Sequence, residues 1–404
     1  MSMRIAFTEQ ALPAWKRAVL KVGSSLLAGD GGLSPRNAQH LAAFVEACHA
    51  QGRELVIVSS GAVAAGRAIL HATLHATPRP GAAMAERQAL AALGQAKLMA
   101  FWQGFFAKPV AQVLLTHDDV RNRRRYLNAQ ATLRELLRCG ALPIVNENDT
   151  VSVDELKLGD NDMLGAIVAA LIDADVLFIA TDIDGLYDAD PRTHPTAKPI
   201  QAATDPGDEI LAMAGGAGSG VGTGGMRTKI LAAQRAGAAG IDTVLFNGTR
   251  TEVSAALALD RLSGTRLIAA RSRIAARKHW LRHAPVERGA AILIDAGAAI
   301  ALIDKGASLL PIGVADAQGE FRRGDLVEIV LVESMLVESM RTDGDRTRSV
   351  ARGVTQYSAA DIRRIARRKS QEIESILGYN YGDTIVHRDD LSLHASHSNE
   401  AADV

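Results

Sequence analysis

The chain has 404 residues, 48% of them apolar, with 45 basic and 45 acidic side chains and a formal net charge of +0. That length exceeds what one hydrophobic core usually fills, so two domains are expected. The charge balance excludes an overall field that would gather nucleic acid or a membrane surface, leaving only local patches for such binding.

In chain order, Ala18–Val22 reads as a first strand, with Lys21 inside it and the turn Gly23-Ser24-Ser25 behind it. Ser34-Pro35 supplies an N-cap and a proline at the first helical position, and Gly52 ends that helix. "ELVIVSSG" is a second strand running into Ser59-Ser60-Gly61-Ala62, and "AVAAGRAIL" continues as a helix. Further strands are expected at Val110–Leu115, Leu142–Asn146, Val176–Thr181 and Thr243–Phe246, with helical patterns between most of them. Apolar runs separated by helices predict an α/β fold, a mainly parallel sheet sandwiched by helices. In such sheets ligands gather at the carboxyl ends of the strands.

The first domain is placed at residues 15–266 and a basic, irregular linker at 267–284. Short strand-like runs between glycine turns follow, among them "AAILIDAGAAIALIDKGASLLPIGV", with no helix expected before "DIRRIARRKSQEIESIL". They predict a small β-rich C-terminal domain over 285–378. The tail, 391–404, is polar and expected to be disordered. The tandem "LVESMLVESM", Leu331–Met340, reads as a lengthened hairpin. Cys48 and Cys139 make no Cys-x-x-Cys or Cys/His cluster, so neither a zinc site nor a disulfide framework is indicated. Both are expected to be buried thiols in a reducing cytosol. No stretch is apolar enough for a signal peptide or a membrane span, and a cytoplasmic location is expected.

"GSGVGTGGMRTK", Gly218–Lys229, contains Gly-x-Gly-x-x-Gly (Gly220, Gly222, Gly225). A dinucleotide fingerprint needs a strand directly before its first glycine, and "DEILAMAGGA" is helical and then loose. What remains is a glycine-rich loop opening a helix near Met226, with Lys229 in its first turn. Free backbone N–H groups, a helix N-terminus and a lysine suit a polyphosphate. Lys21 beside its glycine turn gives a second cation. Two cations on one phosphoryl group are what its transfer requires, since that catalysis is mostly positioning and charge neutralisation. "VNENDTVSVDELKLGDND" adds Asn146, Glu147, Asn148, Asp149, Asp154, Glu155, Asp160, Asn161 and Asp162 between a strand and a helix. Such a cluster can grip an ammonium group, hold Mg²⁺ or orient lysines. "FIATDIDGLYDADPR" closes its strand with Thr181-Asp182, which can border a nucleotide.

These segments together resemble one family. "LKVGSS", "VIVSSGAVAAG", "VNENDTVS", "LGDNDMLGA", "TDIDGLYDADPR" and "GVGTGGMRTK" follow one another as in the glutamate 5-kinases, proteins of the amino-acid kinase fold with a C-terminal PUA domain. The resemblance runs from about Ala18 onward, with "VHRDD" near the end. It implies ATP-dependent phosphorylation of the γ-carboxylate of L-glutamate to γ-glutamyl phosphate, with Mg²⁺, at the start of proline biosynthesis. It implies Lys21 on the transferred phosphoryl group. Thr223, Gly224, Gly225, Met226, Arg227, Thr228 and Lys229 would cradle ATP, with Thr181 and Asp182 flanking it. Ser60, Asp149 and Asn161 would bind glutamate, and Asp162 would organise the two lysines; no metal ligands are assigned. Feedback inhibition by proline and a homo-oligomer, dimer or tetramer, are also implied. A carboxylate acceptor is already ionised at neutral pH, so no general base is required. The alternatives are a kinase of the same fold for acetylglutamate, carbamate, aspartate or UMP, and an RNA-binding protein acting through the PUA-like segment and "RRIARRKS". The extension before Trp15 and the repeat have no counterpart in the family pattern.

Overall fold

An eight-stranded sheet and the helices between its strands build the first of two units, residues 1–273; the second is 274–404. The computed structural model describes residues 6–394 apart from 30, 75–83, 153–160, 192, 195, 214–224, 273–274, 279–280, 282–285, 287–288 and 333–346. In chain order the first unit contains β1 (Arg17–Val22), α1 (Pro35–Ala50), β2 (Glu54–Ser59), α2 (Ala62–Leu74), α3 (Met84–Gln103) and β3 (Val110–Leu115). It continues with α4 (Arg123–Arg138), β4 (Leu142–Glu147), α5 (Asn161–Leu171), β5 (Val176–Thr181), β6 (Ala202–Thr204), α6 (Met226–Ala238), β7 (Asp242–Asn247), α7 (Thr251–Leu257) and β8 (Gly264–Ile268).

The sheet runs β3-β4-β2-β1-β5-β7-β8-β6. Every neighbouring pair is parallel except β7 with β8. The chain leaves β1 toward β2 on one side and later returns to β5 on the other, so the strand order reverses around β1. That reversal opens a crevice at the carboxyl ends of β1, β2 and β5, the usual ligand position in such sheets.

Alternation along each strand divides the core into two layers. Ala18, Leu20 and Val22 pack with Leu55, Ile57, Leu41, Leu98 and Trp102 on the face of α1 and α3. Val19 packs with Val56, Val58, Leu177, Ile179 and residues of α5 and α6 on the other. Lys21 has the parity of Val19, which aims it at α5 and α6. The described part of the extension before Trp15, residues 6–14, is docked: Gln10–Ala11 pairs antiparallel with Arg261–Leu262, and the Phe7 ring meets Tyr187 edge-on at 5.3 Å. Strand β8 carries the sheet to Ile268.

The second unit contains β9 (Ala291–Ile294), α8 (Ala296–Lys305), β10 (Val314–Gln318), β11 (Leu326–Val332), β12 (Thr347–Thr355), α9 (Ala359–Ile365) and β13 (Val386–Leu393). They form a five-stranded sheet in the order β10-β9-β11-β12-β13, in which only β9 with β11 is parallel. Helix α8 corrects the sequence reading, which expected only strand-like runs here. "AGAAIALIDK" is rich in alanine, a strong helix former, and Asp295 caps it by accepting from Ala298 N at 2.8 Å. Gly306 closes it in the left-handed conformation, φ 56°. Strand β13 extends the sheet beyond residue 378. Strands β11 and β12 are antiparallel, with Val332 opposite Thr347. The repeat begins at the end of β11, and the rest of it lies outside the described residues, as does 395–404. Cys48 is buried, its thiol pushed up to about 12 mainly by burial, but Cys139 is exposed at the end of α4, contrary to expectation.

Candidate active site

Three charged side chains meet at the carboxyl edge of β1. Lys21 rises from β1, Asp162 from the first turn of α5 and Lys229 from the first turn of α6. Asp162 Oδ1 forms an ion pair with Lys21 Nζ, and Asp162 Oδ2 accepts from Lys229 Nζ at 3.1 Å. All three are buried, with relative exposures of 5% for Lys21, 0% for Asp162 and 7% for Lys229. Gly165, one turn beyond Asp162, lets α5 approach β1. A Cβ there would lie 3.4 Å from Lys21 Cβ and 3.3 Å from Leu177 Cδ1.

Burial alone would push the Asp162 carboxyl up, but the two ammonium groups outweigh it and hold it below the ordinary carboxylate range. The Thr228 hydroxyl lies 3.0 Å from Asp162 Oδ2 and 2.8 Å from the Gly225 carbonyl, so its single proton is shared between them. One carboxylate between two ammonium groups leaves a buried excess of positive charge. Such an excess favours an anion, and it is worth more in a water-excluded site than in solution.

Beside it, Asn161 gathers a set of uncharged groups. Asn161 Nδ2 donates to Ser60 Oγ at 2.7 Å and approaches Asn146 Oδ1 at 3.2 Å. This joins the turn after β2, the end of β4 and the start of α5. Ser60 N is tied to the Val22 carbonyl at 3.1 Å, fixing that turn against β1. Asp149 sits in the turn after β4, half-buried. On the side of β5, Thr181 is buried, and its hydroxyl donates to Asp182 Oδ1 at 3.3 Å. Gly225, Met226, Arg227 and Thr228 form the opening of α6, whose N-cap, Gly225, has no side chain to cap the backbone N–H groups. Thr223, Gly224, Asp154, Glu155 and Asp160 lie outside the described residues.

The structure thus brings together Lys21, Asp162, Lys229 and Thr228, and separately Ser60 with Asn161. The sequence reading did not single out several polar contacts around them. Trp102 Nε1 donates to Ser59 Oγ at 2.8 Å, and Ser152 Oγ donates to Glu147 Oε1 at 2.7 Å. Asn247, which pairs in register with Thr181, donates to Asp184 Oδ1 at 2.8 Å and accepts from Thr249. A polar residue closing an apolar strand just before Gly248 was the available signal for Asn247. Among the described residues, no group of three or more His, Cys, Asp or Glu side chains is placed to hold a metal ion by itself.

The amino acid kinase family model matches residues 16–247, and the PUA domain model matches residues 290–377. Glutamate 5-kinase of Xanthomonas campestris pv. campestris (strain 8004) is 70% identical over 374 residues, covering 92% of this chain and 99% of that protein. Glutamate 5-kinase of Xanthomonas oryzae pv. oryzae (strain KACC10331 / KXO85) is 70% identical over 376 residues, 93% of this chain and 100% of that protein. Glutamate 5-kinase of Xylella fastidiosa (strain M12) is 65% identical over 388 residues, 96% of this chain and 97% of that protein.

Proposed function

Because the chain belongs to the amino acid kinase family, among its glutamate 5-kinases and with a C-terminal PUA domain, we propose that this crevice transfers the γ-phosphoryl group of ATP to the γ-carboxylate of L-glutamate. The product is γ-glutamyl phosphate, and the step opens proline biosynthesis. The observation that carries this reading is the convergence of Lys21 and Lys229 on the buried Asp162.

A γ-carboxylate oxygen of glutamate attacks the terminal phosphorus as the bond to the ADP oxygen breaks, and ADP departs. No proton is transferred, because the acceptor is ionised at neutral pH. The difficulty is electrostatic: an anion attacks an anion. Lys21 and Lys229 lower that barrier by neutralising charge on the transferred group and on the oxygen that leaves with ADP. Asp162 keeps the two ammonium groups from repelling each other out of position. The open N-terminus of α6, through Met226, Arg227 and Thr228, receives phosphate oxygens, and Thr223, Gly224 and Gly225 continue that cradle. Thr181 and Asp182 border the nucleotide, and Ser60, Asn161 and Asp149 hold glutamate.

The nucleotide phosphates would hold Mg²⁺, an ion that usually keeps several waters and takes few protein ligands, and it would supply further neutralisation of phosphate charge. Proline as a feedback inhibitor near the glutamate site, a homo-oligomer and a cytosolic location complete the proposal. No helix among the described residues is long and apolar enough to cross a membrane.

The test is ATP turnover with hydroxylamine trapping of the acyl phosphate. Glutamate-dependent hydroxamate supports the assignment; turnover of acetylglutamate, carbamate, aspartate or UMP in place of glutamate overturns it.

A further inference from the structure

Helix α3 turns one stripe toward the carboxyl edge of the sheet. Gln88 Nε2 donates to the Ser152 carbonyl at 2.9 Å, in the segment that follows β4. Leu98 faces the turn after β2, its Cδ1 within 3.6 Å of where a Cβ on Gly61 would stand. Trp102 reaches Ser59 at the end of β2. Gln95 lies on the same stripe, two helical turns beyond Gln88 and one before Leu98. Its neighbour Gly94 packs so tightly on α2 that a Cβ there would stand 1.8 Å from the Ala62 carbonyl oxygen. The stripe thus places Gln95 between Gln88, at the segment after β4, and Leu98, at the turn after β2.

The side chain is buried, with 9% relative exposure, and its carbonyl oxygen Oε1 has no hydrogen-bond partner among the described residues. Buried polar atoms are nearly always paired, so an orphan beside a substrate turn points to a ligand group. An amide oxygen only accepts, which rules out either carboxylate of a dicarboxylic substrate as its partner. A donor is required, and an α-amino acid brings one strong donor, its ammonium group.

We propose that Gln95 is a specificity-determining residue whose Oε1 accepts a hydrogen bond from the α-ammonium of the amino-acid substrate; this rests on the glutamate reading above. Gln95 thereby makes the crevice distinguish an amino acid from a plain dicarboxylate. A site with a buried polar group matched to a substrate group rejects the analogue that lacks it, because the protein group is then left unpaired.

The experiment compares kcat/KM for L-glutamate and for glutarate, the same dicarboxylate without the amine, in the wild-type chain, Gln95→Met and Gln95→Glu, with KM for ATP and Tm recorded. Gln95→Met, similar in length and apolar, is expected to lower kcat/KM for glutamate about 10- to 100-fold. Glutarate turnover and KM for ATP are expected to stay within about twofold. Gln95→Glu keeps an acceptor and is expected to retain most of the preference for glutamate, which keeps the test open if the methionine variant does not fold. An equal loss on both substrates, an unchanged glutamate kcat/KM with a raised Tm in Gln95→Met, or loss of the preference in Gln95→Glu overturns the proposal. A wild-type chain that turns over neither dicarboxylate overturns the glutamate reading itself.

Discussion

Asn161 and Asp162 are consecutive residues in the first turn of α5, about 100° apart around the helix axis, and they open onto regions of opposite character. Asn161 joins a set of neutral hydroxyl and amide groups, Ser60 and Asn146. Asp162 joins a charged set, the buried ammonium groups of Lys21 and Lys229. On the proposed reading, one helix start divides the crevice into an acceptor half and a phosphoryl half. The two halves can be damaged separately, and the damage should differ in kind.

Asp162→Asn should have the largest effect. Breaking a buried ion cluster by removing one partner costs about 3–5 kcal/mol, and here it leaves two ammonium groups facing each other. Both Tm and kcat are expected to fall, and a variant with wild-type stability would contradict the charged half as drawn. Lys21→Ala should come next, with kcat lowered about 100- to 1000-fold and KM for glutamate changed by less than about threefold. Ser60→Ala should invert that pattern, raising KM for glutamate about tenfold with little effect on kcat, as expected for one lost hydrogen bond to a charged ligand. Steady-state kinetics on the two variants sharpen the comparison, and exchanged phenotypes would break it.

The pH response separates the site from the rest of the unit. Asp162 titrates lower when folded than when unfolded, so its contribution to stability is present above its unfolded value of about 3.9 and is lost as pH falls through the folded one. The Tm difference between wild type and Asp162→Asn should stay flat from about pH 5 to 8 and shrink only in strong acid. His49, on α1, behaves differently: burial, aided by Lys108, lowers it to about 4. The unfolded chain therefore binds more protons than the folded one between about 4 and 6.5, and stability falls as pH drops through that window. His49→Gln should flatten that slope, the smallest of the effects, as thermal melts across the window would register.

Much of this was legible in the residues. Val176–Thr181 is an apolar run up to its closing threonine and is buried throughout, and such a run has few other places to go, whereas Val110–Leu115, broken by the exposed Gln112, lies at the sheet edge. Lys21 and Lys229 stood out because each accompanies a glycine turn or a helix start. Helix α8 was missed because its alanines and glycine resemble a turn-rich strand segment until the Asp295 cap is weighed. Cys139 was expected inside because a free cysteine is ordinarily among the most buried residues, but it follows the arginine-rich α4 at its C-cap and is exposed. Gln95 and the Trp102–Ser59 contact depend on how closely α3 approaches α2 through Gly94. That approach is a tertiary fact with no local signature.

The most direct measurement is a double-mutant cycle on kcat with Lys21→Ala, Lys229→Ala and the two combined. If both ammonium groups neutralise one phosphoryl group, the double variant should fall no more than about tenfold below the worse single variant, because groups acting as a unit are strongly non-additive. Two losses that simply multiply would mean that the lysines act on separate events, and would contradict the account.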